Sequence, residues 1–275
     1  MNNYRKPCGQ KVHGHPCFGD SESHRSFGRI HLPVAPGCNI KCKYCVRRHD
    51  CANESRPGVT SRIIKPQEAV NRVREILSKE PKINVAAVAG PGDALANPAT
   101  FETLRLVNQE FPYLIKCMST NGLLLPDSLD LLLEVGVSHL TITINAVDSS
   151  IGKQIYSWVR YKGQILVEEV AFQVLSTNQL EGLRAAVRQG ITVKVNSVLI
   201  PGINDEHLVE VAQAVAEEGA YIMNIMKLIP QGGFACRRAP SNHELFKVQR
   251  QCESFIQQFR GCRHCRADAV GMLGT

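Results

Sequence analysis

The sequence predicts an α/β fold, a partial (β/α)6 TIM-type barrel in one domain, on three observations. Six short runs rich in β-branched residues alternate with longer amphipathic stretches from about residue 30 onward, the pattern of repeated βα units on a parallel sheet. Prolines stand at the starts of several amphipathic stretches and glycines at their ends, as helix termini favour. Six units are too few for a closed eight-stranded barrel, and a chain of 275 residues suits one core of that kind.

Taken in order, segment 1–29 carries cysteines but little periodic apolar pattern, so it reads as a cluster-binding extension ordered by something other than a core. A strand is expected near 30–35, with a cysteine-rich loop at 38–45 behind it. A helix over 66–80 opens at Pro66, a strand covers 83–89, a helix over 99–110 follows Pro98, and a strand covers 113–119. The next helix, 127–135, begins after Pro126 and stops before Gly136, ahead of a strand at 138–145. Two helical pieces fill 164–189 up to Gly190. A strand at 191–199, a helix at 205–218 ending before Gly219, a strand at 221–228 and a helix at 241–260 complete the barrel, 30–260. The tail 261–275 is again cysteine-bearing. In such a barrel the chemistry collects in the loops after the strand C-terminal ends.

Composition narrows the function class. Lys plus Arg number 32 against 25 Asp plus Glu, a net charge of +7, but the charges are scattered and form no basic tract, so nucleic acid is not indicated. A mildly basic surface also suits anionic cargo such as an iron–sulfur cluster. The start, MNNYRKPCGQKVHGHPCFGD, has no apolar signal region, and no apolar run is long enough to span a membrane, so a cytoplasmic protein is expected. In that compartment eleven cysteines point to metal ligands or redox groups rather than to a disulfide framework.

The stretch GCNIKCKYC sets Cys38, Cys42 and Cys45 in a CxxxCxxC pattern, close enough for one loop to wrap three irons of a [4Fe–4S] cube. The fourth iron stays open, able to chelate the amino and carboxylate groups of S-adenosylmethionine (SAM) and to pass an electron to its sulfonium. A zinc site would more often use paired CxxC elements and four ligands. Tyr44, just before the last cysteine, resembles the aromatic that radical SAM enzymes place there to pack near the adenine, and fits an ordinary core aromatic equally well. After the second strand, VAGPGDALANP leaves backbone groups accessible at Gly90 and Gly92, with Asp93 beside them. Asn121, Asn145 and Asn196 would face the same mouth and hydrogen-bond ribose or carboxylate, although each alone also fits a turn or a satisfied polar residue. Cys17, His31, Cys51, Cys117, Cys262 and Cys265 are six further soft or borderline ligands, enough for two more clusters with three protein ligands each. Simpler readings are a small zinc or redox site for the CRHC pair, a buried apolar Cys117 and a half-buried His31.

The CxxxCxxC motif and the glycine loop behind it resemble the radical SAM superfamily. GHPCF (14–18), GRIHLPVAPGCNIKCKYC (28–45), DCANESRPGV (50–59), AGPGDALANP (89–98), KCMSTNG (116–122) and CRHCRADAVG (262–271) together resemble, across nearly the whole chain, its NifB family of nitrogenase cofactor maturases. The resemblance implies a partial barrel of the radical SAM kind that fuses two [4Fe–4S] substrate clusters, K1 and K2, with a SAM-derived carbide and an extra sulfide into the [8Fe–9S–C] precursor of the nitrogenase cofactor. One SAM would donate a methyl group to a cluster sulfide, and a second would yield the 5′-deoxyadenosyl radical that begins converting that methyl to carbide, chemistry of lyase and transferase type.

By the same resemblance Cys38, Cys42 and Cys45 hold the SAM cluster, Cys17, His31 and Cys117 hold K1, and Cys51, Cys262 and Cys265 hold K2. Gly90, Gly92 and Asp93 belong to the segment that binds the SAM amino group. Glu54 and Arg56 are candidates for contacts to cluster or SAM, or for a surface salt bridge. The implied partners are iron–sulfur cluster donor proteins and nitrogenase cofactor scaffold or carrier proteins. Many bacterial relatives carry an additional C-terminal carrier-like domain, and the chain resembles the short stand-alone form; Val46 stands where much of the family has a polar residue. Cys8, Cys236 and Cys252 have no assigned ligand role: Cys252 fits a helix face, and Cys8 fits a free or cluster-entry thiol. Two other readings compete. A radical SAM enzyme with auxiliary clusters acting on a peptide or nucleic acid would need a recognition domain or basic patch, and the sequence displays neither. A non-catalytic cluster carrier predicts no SAM cleavage and leaves the glycine loop without a purpose.

Overall fold

The computed structural model describes residues 14–19, 21–53, 58–262 and 264–273. Its elements are α1 (Ser21–Ser26), β1 (Gly28–His31), β2 (Ile40–Cys42), α2 (Pro66–Lys79), β3 (Ile83–Val88), α3 (Pro98–Glu110), β4 (Ile115–Thr120), α4 (Leu125–Glu134), β5 (Val137–Thr143), α5 (Ser149–Ile155), β6 (Tyr156–Tyr161), β7 (Gln164–Leu166), α6 (Glu168–Arg188), β8 (Thr192–Leu199), α7 (Leu208–Glu217), β9 (Ile222–Lys227), α8 (Asn242–Cys252) and β10 (Val270–Gly271). Six of the strands, β1, β3, β4, β5, β8 and β9, run parallel and lie side by side in chain order, with β10 antiparallel on the outside of β1. This is the expected six-stranded partial barrel.

The helical boundaries follow local chemistry. Pro66 and Pro98 open α2 and α3, and Gly136, Gly190 and Gly219 take positive φ just beyond α4, α6 and α7. Ser241 accepts from the Glu244 N–H while Glu244 accepts from the Ser241 N–H, a reciprocal cap that starts α8. Neighbouring helices α2 and α3, α4 and α6, and α7 and α8 pack in pairs outside the sheet. Between helices and sheet lies the larger core, including Ile30, Val88, Leu104, Met118, Leu140, Val193 and Val211. All eight residues of β8 are buried, because helices cover its outer face and the barrel interior its inner one.

Three expectations need correction. Residues 164–189 are not two helical pieces: 164–166 form β7, and one helix covers 168–188. β7 is the return arm of a hairpin whose turn, Lys162–Gly163, takes positive φ at both residues, the geometry of a tight two-residue hairpin loop. β6 pairs in turn with β2, so a second, three-stranded sheet secures the cysteine loop. The last helix stops at Cys252 rather than 260, since the chain there turns to run along the open edge of β9, with Met223 N–H donating to the Gln257 carbonyl (2.9 Å) and Phe259 N–H to Met223 (2.7 Å). β1 covers 28–31 rather than 30–35; beyond it Leu32 N–H still reaches the Ala87 carbonyl (2.8 Å) and Ala35 bridges to Pro91. The C-terminal tail is held by backbone pairing as well, through β10 on β1 and Arg29 donating to the carbonyls of Gly271 and Met272 (2.6 Å each). Among the described residues no helix is long and apolar enough to cross a membrane.

Candidate active site

The loop between β1 and β2, the end of β2 and the turn after it bring Cys38, Cys42 and Cys45 to one cavity at the C-terminal end of the barrel strands. Tyr44, Arg47, Cys51, Asn53, Gly92, Asp93, Ser119 and Asn121 share its wall. Burial pushes the Cys38 thiol up to about 11, helped by Asp93, and lifts Cys42 well above the ordinary range through burial and then Cys45 and Cys38. Burial thus disfavours ionising Cys38 and Cys42, and an iron cluster whose cationic core displaces their protons relieves that conflict. Arg47 adds a cation, donating to the Pro36 carbonyl (2.8 Å) with its other terminal nitrogen 3.9 Å from Cys45 Sγ. The residues therefore fit a resident [4Fe–4S] cluster.

The glycine loop is locked onto the cysteine loop. Gly92 N–H donates to Ala35 (2.5 Å) and Asp93 N–H to Gly37 (2.8 Å), and a Cβ on Gly92 would sit 2.0 Å from the Gly37 carbonyl oxygen. Asp93 lines the cavity, but its carboxylate already accepts from Leu95 N–H (3.0 Å), Asn121 N–H (2.6 Å) and the Thr120 hydroxyl (3.0 Å). It clamps the end of β4 to the glycine loop rather than presenting a free charge. Asn121 donates to Asn39 Oδ1 (2.6 Å) and lies 3.8 Å from Cys38 Sγ.

A second cavity adjoins the first, and Asn53 and Ser119 line both. Its wall carries Cys17, His31, Cys117, Cys262 and Cys265, five of the six further ligands read from the sequence. Strand pleating explains the convergence: side chains two apart share a face, and the register aligns His31 with Ala87, Ala87 with Cys117, Ser119 with Thr141, and Thr141 with Lys194. His31 is prepared for a metal. Its Nδ1–H donates to the Arg266 carbonyl (3.0 Å), which leaves Nε2 as the lone-pair nitrogen, and burial holds the ring down to about 4 and hence neutral. Burial raises the Cys17 and Cys262 thiols, with Lys194 opposing in both cases. Among the described residues no three His, Cys, Asp or Glu side chains converge on a single-ion site. A cube presents a separate iron to each thiolate, so its ligands need not converge in that way.

Not every expected residue reaches the mouth. Cys51 lines the cavity of Cys38, Cys42 and Cys45, apart from Cys262 and Cys265, so the expected K2 trio is divided between two walls. Asn196 lines the second cavity, where it accepts from Asn224 (3.0 Å), rather than the SAM-side one. Asn145 lines neither: it donates to the hydroxyls of Tyr44 (2.7 Å) and Tyr156 (3.0 Å) and accepts from Val198 N–H (2.8 Å), a buried hub behind Tyr44. The Tyr44 hydroxyl in turn donates to Asn53 (2.8 Å). Gly90 faces Ala267 and Cys51. Glu54, Arg56 and Cys8 lie outside the described residues. Cys252 is buried on α8, donating to the Leu208 carbonyl (3.4 Å), as its helix-face reading expects, and Cys236 is exposed. Sequence reading missed Arg29, Arg47, Lys194 and His15, all cavity-lining; the i, i+2 spacing of Arg29 from His31 and of Lys194 from Asn196 was the available signal.

The profile of the radical SAM superfamily matches residues 32–215, which contain the CxxxCxxC loop, the glycine loop and the strands up to β8. The chain belongs to the radical SAM superfamily. The resemblance to NifB is also borne out. The chain is 48% identical over 272 residues to the FeMo cofactor biosynthesis protein NifB of Bradyrhizobium diazoefficiens, covering 96% of this chain and 54% of that protein. It is 46% identical over 271 residues to that of Klebsiella pneumoniae (96% and 58%) and 45% identical over 266 residues to that of Chlorobaculum tepidum (96% and 62%). The chain thus spans roughly half to three fifths of the length of these curated relatives. Solved structures agree on the radical SAM fold. Streptococcus suis SuiB bound to S-adenosylmethionine aligns with a TM-score of 0.59 at 13% identity over 85% of this chain and 49% of that one. Methylornithine synthase (PylB) aligns with a TM-score of 0.57 at 16% identity over 86% and 65%.

Proposed function

We propose that this radical SAM chain assembles the iron–sulfur core of the nitrogenase cofactor, joining two [4Fe–4S] substrate clusters with a SAM-derived carbide and an extra sulfide into an [8Fe–9S–C] unit. The observation that carries the reading is the pair of adjoining cavities, three thiols of the CxxxCxxC loop on one side and five further cysteine and histidine ligands on the other, meeting at Asn53 and Ser119. The names of the relatives at 45–48% identity support it.

When bound, the resident cluster and SAM supply methyl transfer and 5′-deoxyadenosyl radical chemistry. Cys38, Cys42 and Cys45 would hold that cluster, and the wall formed by Gly92, Asn121 and Tyr44 would receive SAM. Asn145 and Asn53 fix the Tyr44 ring through its hydroxyl, and Asp93 fixes the glycine loop against β4. The substrate clusters would be held by Cys17, His31, Cys117, Cys262 and Cys265, with Cys51 binding on the SAM side and so directing a cluster toward the reacting methyl group. The partners of such a protein are cluster donors and a cofactor scaffold or carrier, and its compartment is the cytoplasm. Protein loaded with substrate clusters and given SAM labelled in its methyl group, under dithionite, is expected to retain label in an iron-containing fraction released on denaturation. Label recovered only as methionine and S-adenosylmethionine would contradict the proposal.

A further inference from the structure

Lys194 lies within β8 with only 7% of its surface exposed, and its side chain lines the cavity assigned above to the substrate clusters. An ammonium brings three hydrogen-bond donors into that interior. Among the described residues no hydrogen bond or ion pair receives them; Nζ stands 5.1 Å from the centre of the Phe18 ring and 5.2 Å from that of Phe259. Ring faces attract a cation but replace only part of the hydration it loses.

The same wall carries Arg29, whose guanidinium donates to the Gly271 and Met272 carbonyls and to Cys265 Sγ (2.6 Å each). No carboxylate of the described residues lines this cavity. Two buried cations face four thiols and two imidazoles with no carboxylate among them, a charge balance that suits cysteine thiolates together with the sulfides of a bound cluster. The cube core is cationic, but once ligated by thiolates it carries net negative charge, which grows with each electron accepted and each sulfide added.

We propose that Lys194 is the counter-cation of the iron–sulfur cargo, holding it by charge and by N–H donation to sulfide while the cysteines and His31 bind iron. This rests on the function proposed above. Charge recognition of this kind favours the cargo in its reduced and sulfide-enriched forms, so Lys194 raises the cargo's reduction potential as well as its retention. Lys194 is a positioning residue for the cargo, and its ammonium takes no part in the SAM-side cavity.

The test compares wild type with Lys194→Arg, Lys194→Gln and Lys194→Met. Each is reconstituted anaerobically with iron and sulfide, reduced, desalted, and measured for iron per chain, for circular dichroism and for the potential of its cargo clusters. Wild type and Lys194→Arg are expected to hold about twelve irons, and the two uncharged variants to lose most of the roughly eight beyond the SAM cluster while keeping native dichroism. Cargo that the uncharged variants retain is expected to titrate at a more negative potential. Full loading at an unshifted potential in Lys194→Gln or Lys194→Met overturns the assignment alone. So does iron loss in Lys194→Arg equal to that in Lys194→Met, because it makes shape rather than charge the cause. Should Lys194→Met fail to fold, Lys194→Gln and Lys194→Arg decide the matter. Wild type holding only about four irons overturns the proposed function, and this assignment with it.

Discussion

At the scale of single residues, the three thiols of the CxxxCxxC loop line one cavity, and burial raises Cys38 and Cys42 above the ordinary thiol range, a conflict that a bound iron cluster would relieve. Cys38→Ala is expected to remove about four irons per chain and with them SAM cleavage, read by iron analysis and 5′-deoxyadenosine formation. Asn145 makes a different prediction. Its amide satisfies the Val198 N–H and links two buried tyrosines, so Asn145→Leu leaves buried polar groups unpaired and is expected to cost about 1–3 kcal/mol in urea unfolding. An unchanged unfolding midpoint would contradict the hub assignment. Cys38, Cys42 and Cys45 were legible in the sequence as one group because their spacing carries its own chemistry. Asn145 was read as a SAM contact because a polar residue at a strand end looks the same whether it faces a ligand or a neighbouring tyrosine. Lys194 and Arg29 passed unnoticed because their i, i+2 spacing from Asn196 and His31 shows a shared strand face but not that this face is buried.

Between elements, the site depends on two loops pressed together. Gly92 has no room for a methyl group against the Gly37 carbonyl, so Gly92→Ala must push the glycine loop away from the cysteine loop. The expected cost is about 1–3 kcal/mol, felt as SAM binding weakened roughly tenfold or more in an equilibrium titration of the loaded protein. Wild-type affinity in that variant would show that the loops do not need each other. The six parallel strands and most helices were readable because apolar periodicity, opening prolines and closing glycines agreed. The β6–β7 hairpin was not: Tyr156–Tyr161 alternates only weakly between buried and exposed positions, and its partner, β2, is three residues long and lies over a hundred residues upstream. The end of α8 was missed because Phe255, Ile256 and Phe259 continue a helical spacing, while the bare edge of β9 draws the chain into hydrogen bonds with Met223.

Over the whole molecule, an open half-barrel gathers an N-terminal segment and a C-terminal tail at its mouth. Phe18 and Ala267 are buried there, and β10 pairs with β1, so burial and backbone pairing hold both segments against the sheet. Ligands contributed by both segments then couple cluster loading to stability. Reconstituted protein is expected to unfold several degrees above the cluster-free chain and to shield residues 259–273 from protease, and equal thermal midpoints for the two forms would contradict that coupling. The proposed function stands on one chain joining a SAM-cleaving cluster to two substrate clusters. Its most direct test is anaerobic reconstitution with iron and sulfide followed by dithionite and SAM, assaying iron per chain together with S-adenosylhomocysteine and 5′-deoxyadenosine. About twelve irons and both products are expected; about four irons with 5′-deoxyadenosine alone would leave a radical SAM enzyme but contradict the assembly of a nitrogenase cofactor precursor.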